Sequence, residues 1–119
     1  MPSTPSRSIA AALQDILDNI KLAHSFVDGL SLNNFRSDRR TSYAVVRCLE
    51  IISEASRKLP AELKARHPGI PWTEMAGAGS VYRHHYVGVR DELVWKTVQE
   101  DLEPLRLMAE QELERLSEE

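Results

Sequence analysis

Ile9-Ala-Ala-Ala-Leu-Gln-Asp-Ile-Leu-Asp-Asn-Ile-Lys-Leu-Ala-His-Ser-Phe-Val-Asp-Gly-Leu30 decides the fold class. Ile9, Leu13, Ile16, Leu17, Ile20, Ala23, Phe26, Val27 and Leu30 recur at steps of three and four, the stripe of an amphipathic helix rather than the alternation of a strand. Ser6 or Ser8 is available as its N-cap, residues 1–6 read as a flexible tail, and Gly29 marks where the helix should end.

A polar connection, Ser31 to Asp38, leads to a second stripe of Ala44, Val45, Cys48, Leu49, Ile52, Ala55 and Leu59. Pro60 stops that helix or begins a short one, because proline fits a first turn and not an interior. Arg66-His-Pro-Gly-Ile-Pro71 reads as a loop. From Pro71 a third helix should run from Trp72 to about Tyr86, with Gly88 as its stop. The last helix is expected from Arg90 or Asp91, showing Val94 or Trp95, Val98, Leu102, Leu105, Met108, Leu113 and Leu116 on one side and a kink at Pro104. Strand signals are almost absent. The pattern predicts an all-α, up-and-down antiparallel bundle of four main helices plus short helices, one domain over residues 1–119.

A formal charge of −3 and a pI near 5.8 do not describe a general nucleic-acid binder, so any RNA contact must be local. Arg36, Arg39, Arg40, Arg83 and Arg90 form the basic patches, whereas the acidic end, residues 110–119, should lie away from any phosphate track. A single cysteine, Cys48, rules out an internal disulfide, fits a reducing compartment and sits among apolar neighbours as a core residue. No apolar run reaches the roughly 18 residues of a membrane span, and the start lacks a signal peptide's basic and apolar regions, which points to the cytoplasm.

Chemistry concentrates in Ala76-Gly-Ala-Gly-Ser-Val-Tyr-Arg-His-His-Tyr86. Histidine titrates nearest neutrality, arginine offers a permanent forked cation and tyrosine a hydroxyl, a set suited to a phosphodiester. On a helix Ser80 and His84 are one turn apart and Arg83 is three residues from both Ser80 and Tyr86, while His85 points roughly 100° away from His84. Gly77 and Gly79 each cost a helix about 1 kcal/mol relative to alanine unless a close approach needs bare backbone. The alternative is a surface helix that happens to hold two histidines. His24 reads as a half-buried packing or hydrogen-bonding residue and His67 as a solvent-exposed loop residue. No metal-ligand spacing, phosphate loop or nucleophile elbow is present, so neither a metal nor another cofactor is expected.

Three passages carry a family resemblance: Phe35-Arg-Ser-Asp-Arg-Arg-Thr-Ser-Tyr-Ala-Val-Val-Arg-Cys-Leu-Glu-Ile-Ile-Ser-Glu-Ala55; Pro71-Trp-Thr-Glu-Met75; and Arg83-His-His-Tyr86 followed by Val94-Trp-Lys-Thr-Val98 and Asp101-Leu-Glu-Pro-Leu105. Over about Leu13 to Leu105 the chain resembles the HepT-like toxins of the HEPN superfamily. Their ribonuclease signature is an arginine, four to six residues, and a histidine, commonly followed by any residue and a tyrosine. His84 and Tyr86 match it; Gly79 stands at the arginine position, followed by Ser80. Arg83, directly before His84, resembles the relocated arginine of a variant branch.

The resemblance implies a homodimer whose motif helices face each other across a two-fold axis and cleave RNA without a metal. His84 would act as general base or acid, with the partner copy's His84 in the complementary role. Arg83 would stabilise the transition state, Ser80 would orient the phosphate, and Tyr86 would position the substrate or the histidine. It further implies the toxin of a type II toxin–antitoxin pair, neutralised by an MNT-type nucleotidyltransferase antitoxin that adenylylates Tyr86. Glu54 matches the second-helix glutamate that orients Arg83 or His84, or is simply a solvated carboxylate. Two other readings remain: an inactive HEPN dimer that binds the nucleotidyltransferase or RNA, and a helical interaction protein outside the family.

Overall fold

The computed structural model describes residues 6–84 and 86–119, and only the backbone of Val81, Arg83 and His84. The expected tail thus falls, from 1 to 5, outside the described residues, as does His85. Described residues form helices and connections, with no strand among them: α1 (Ser6–Val27), α2 (Leu32–Ser37), α3 (Arg39–Arg57), α4 (Ala61–Ala65), α5 (Trp72–His84), α6 (Val87–Lys96) and α7 (Leu102–Ser117). A π-helical turn, Thr97–Asp101, joins the last two. The all-α bundle of four main helices is therefore the architecture, with α6, the π turn and α7 together making the fourth.

α1 buries Leu13, Ile16, Ile20, Ala23 and Val27 against α3 and α7. Phe26, expected in the stripe, is 39% exposed on its shoulder. Ser6 and Ser8 both lie inside the helix, so Ser8 is not the cap. Gly29 ends the helix as expected: its φ of +77° is costly for any residue with a Cβ, and Leu30 N–H returns to the Val27 carbonyl at 2.9 Å.

The connection expected from Ser31 to Asp38 instead holds α2. Ser31 Oγ accepts from Asn34 N–H at 3.1 Å, and Phe35, fully buried, packs on Trp95 with ring centroids 5.4 Å apart. Asp38 then caps α3, accepting from the Thr41 amide at 3.1 Å and its hydroxyl at 2.8 Å, which hold the Asp38 carboxyl below its ordinary range. Pro60 begins the short α4, whose Leu63 is buried.

The third connection is tied from both ends. The Trp72 indole N–H is shared between the carbonyls of Lys64 and His67, at 3.1 and 3.0 Å. His67 is not the exposed loop residue expected: its Nε2 lies 2.6 Å from Glu112 Oε2 on α7, and Arg66 makes a bidentate pair with the same carboxylate at 2.6 and 3.2 Å. Glu112 therefore sits inside the molecule although it belongs to the acidic C-terminal run.

Two boundaries near the fourth helix also differ from expectation. Gly88 does not stop α5, which ends at His84, but lies in the first turn of α6, which starts at Val87. Pro104 is the third residue of α7, in a first turn that tolerates proline, and the irregularity of the fourth helix is the π turn Thr97–Asp101 immediately before it. His24 is exposed rather than half-buried, but its Nε2 donates to the Val98 carbonyl of that turn at 3.2 Å, the hydrogen-bonding role its sequence suggests.

Burial alone raises the Glu112 carboxyl, but the hydrogen bonds and charges of Arg66 and His67 more than reverse this and leave it below its ordinary value of 4.5. A lowered carboxyl stabilises the fold fully above that ordinary value and loses the contribution as pH falls through the lowered one. Thermal melts should show Glu112→Gln less stable than the parent at neutral pH, with the gap closing as pH drops below 4.5. A gap independent of pH would show that the ion pairs contribute nothing.

Candidate active site on the motif helix

α5 is poor in large apolar side chains, so hydrogen bonds help to seat it. The Ala76 carbonyl accepts from Ser53 Oγ of α3 at 3.0 Å and from Arg57 Nη1 at 3.3 Å. Met75, Ala78 and Tyr82 lie on one side of the helix, and Gly77 and Ser80 roughly 160° away on the other. Tyr82 is buried; that burial pushes its phenol up, and its hydroxyl lies 3.4 Å from Thr97 Oγ1.

The other side faces outward. Ser80 is exposed, and a Cβ added at Gly77 would meet nothing within 4 Å. No internal packing therefore explains this helical glycine. Gly79, at the position of the signature arginine, is buried. The backbone of Arg83 and His84 completes the last turn of α5, one turn beyond Ser80, and their side chains lie outside the described residues. Tyr86 follows at the elbow, 88% exposed, and the exposed Val87 and Val89 extend an apolar edge onto α6. Ser80, the motif backbone and Tyr86 thus share one open end of α5. The other end lies about 18 Å away at 1.5 Å per residue, and it is there that Glu112 is engaged by the Arg66–His67 connection.

Glu54 is exposed on α3 and makes no hydrogen bond or ion pair among the described residues. Its neighbour Ser53, not singled out in the sequence, makes the bond to α5. Cys48 is buried, and burial raises its thiol away from the reactive thiolate, in keeping with a core role.

A second cluster, not legible in the sequence, fixes the start of α6 beside the motif. Asp91 is 2% exposed and accepts from Ser42 Oγ of α3 at 2.7 Å. Arg90 lies across the Tyr43 ring, 5.3 Å from its centroid, with Nε 3.7 Å from Asp91 Oδ1 and without a hydrogen-bond partner among the described residues. Ser42 and Asp91 are 49 residues apart, so no local pattern could pair them. Arg36 of α2 and Glu92 of α6 form a further ion pair on the surface.

Residues 16–112 match the family model described as Ribonuclease HepT-like. Among curated proteins, "Probable ribonuclease HepT" of Thermococcus cleftensis is 42% identical over 100 residues, covering 84% of this chain and 91% of that protein. "Putative RNase MJ0127" of Methanocaldococcus jannaschii is 36% identical over 94 residues, 79% of this chain and 78% of that protein. "Putative RNase TTE0752" of Caldanaerobacter subterraneus is 33% identical over 103 residues, 87% of this chain and 92% of that protein. No solved structure matches the chain.

The Ser42–Asp91 bond makes a stability prediction separate from any catalytic role. Ser42→Ala leaves a buried carboxylate short of a donor and should cost about 1–3 kcal/mol in urea unfolding. A loss within experimental error would show that water replaces the hydroxyl.

Proposed function

This chain belongs to the ribonuclease HepT-like family, and from that premise we propose that it is a metal-independent endoribonuclease whose cleft is completed by a second copy of itself. The observation that carries this reading is the open side of α5. Ser80, Tyr86 and the backbone of Arg83 and His84 gather at one end of a helix whose Gly77 has empty space in front of it. Bare backbone allows another helix to come close, and the exposed Val87 and Val89 supply apolar surface for it to cover.

In the proposed reaction His84 of one copy takes the proton of a ribose 2′-hydroxyl. The 2′-oxygen attacks the adjacent phosphorus, and the bond to the 5′-oxygen breaks as the partner copy's histidine protonates it. Arg83 stabilises the added negative charge at phosphorus, and Ser80 donates to a non-bridging oxygen. Tyr86 positions the substrate. We further propose that the protein is the toxin of a two-component pair whose antitoxin is an MNT-type nucleotidyltransferase. Adenylylation of Tyr86 would place negative charge and bulk at the cleft and so exclude RNA phosphates; its 88% exposure makes the hydroxyl accessible to such a partner. Glu54 serves as an orienting group only if a motif side chain reaches it.

Gly79 supports a second reading. A buried glycine replaces the signature arginine, so a dimer that binds RNA or the nucleotidyltransferase without cleaving is the competing function.

Purified protein incubated with total RNA in excess chelator separates the two. The enzyme reading predicts cleavage by the parent, a loss of about 10²–10⁴-fold in His84→Ala, and a comparable loss in Arg83→Ala. Intact RNA from an unmodified, folded parent would leave the binding module. Gly77→Ala should stabilise the isolated chain by about 0.5–1 kcal/mol yet weaken self-association in sedimentation equilibrium. Unchanged association would remove Gly77 from the interface.

A further inference from the structure

The side of α5 opposite Ser80 borders a groove of about 450 Å³ between α3, the connection after α4, the π turn and the start of α7. Leu49, Ile52, Met75 and Leu105 give it an apolar floor, and the exposed carboxylates of Glu74, Glu100 and Asp101 stand on its rim. No lysine, arginine or histidine lines it, and none of the three rim carboxylates has an ion-pair partner among the described residues. Leu49, Ile52 and Leu105 are already buried, whereas Met75 and Ala78 stay partly open, and no described residue neutralises the rim.

We propose that this groove docks a segment of a partner protein in which apolar side chains are flanked by lysine or arginine. Charge complementarity selects the occupant. Three uncompensated carboxylates repel nucleic-acid phosphates and attract a basic flank, while the floor rewards an aliphatic or aromatic side chain rather than a free cation. Tyr82 and Thr97, whose hydroxyl oxygens lie 3.4 Å apart, also line the groove. The π turn before α7 supplies Thr97, Glu100 and Asp101 to the wall, so the defect in the fourth helix builds the groove. Because the groove and the Ser80 side lie on opposite faces of α5, the docked segment and RNA do not compete. The inference is therefore independent of the ribonuclease reading.

The test is selection of a random dodecapeptide display library on the folded parent, with counter-selection on the double variant Glu100→Lys/Asp101→Lys. Enriched peptides should carry Lys or Arg on either side of Leu, Ile, Met or Phe. The synthetic consensus peptide should lose roughly tenfold or more in affinity to the double variant and become weaker with salt. Ala78→Leu, which fills the floor, should weaken it as well; circular dichroism melts establish that both variants are folded. No enrichment, peptides without basic flanks, affinity retained by the charge-reversed variant, or displacement of the peptide by RNA would overturn the proposal. Peptide binding is read without RNA cleavage, so a catalytically silent protein leaves this result interpretable.

Discussion

The Ala76 carbonyl, held by Ser53 and Arg57 of α3, is the contact on which the site depends. A helix of composition Trp-Thr-Glu-Met-Ala-Gly-Ala-Gly-Ser has too little apolar surface to be fixed by burial alone. Two side chains from α3 therefore set its rotation one turn before Ser80. With that rotation fixed, Met75, Ala78 and Tyr82 turn toward the bundle and the apolar groove, and Gly77 and Ser80 turn out. The open side that the proposed cleavage needs and the groove that the proposed docking needs are two consequences of the same seating.

The rest of the molecule serves that arrangement at its two ends. At the start of α5, the Trp72 indole and the Arg66–His67–Glu112 cluster tie the preceding connection to α4 and α7. Beyond its end, α6 is anchored by buried Asp91 on Ser42 and by the Phe35–Trp95 contact. The start of α5 and the body of α6 are thus both held, and Tyr86 stands exposed ahead of α6.

The long stripes of α1 and α3 were legible because many apolar residues repeat at helical spacing, and Gly29 marked its boundary through a backbone requirement only glycine meets cheaply. α2 was not, since six residues around one anchor, Phe35, carry no period. Gly88 misled because glycine punctuates both ends of helices, and here it falls in the first turn of α6. Pro104 announced an irregularity but not its form, which depends on how the previous turn redistributes its hydrogen bonds. In the candidate site, Ser80 and Tyr86 were singled out by their chemistry; both are exposed, but Tyr86 lies beyond the end of α5 rather than on the helix face the spacing suggested. Ser53, Ser42 and Asp91 were missed because a serine or aspartate acquires its role from a partner distant in the chain. The same holds for His67 and Glu112, a loop residue and a member of an acidic run that pair at the edge of the core, Glu112 buried and His67 partly so.

The claim at the centre of this account is that one cleft draws on two copies of the motif. Subunit mixing measures it directly: parent protein is equilibrated with increasing His84→Ala protein at constant total concentration, and the rate of RNA cleavage in chelator is followed against the fraction of parent chains. A cleft that needs both histidines predicts a rate falling as the square of that fraction, because only parent–parent pairs cut. A rate that falls in simple proportion would contradict it, showing that each chain acts alone.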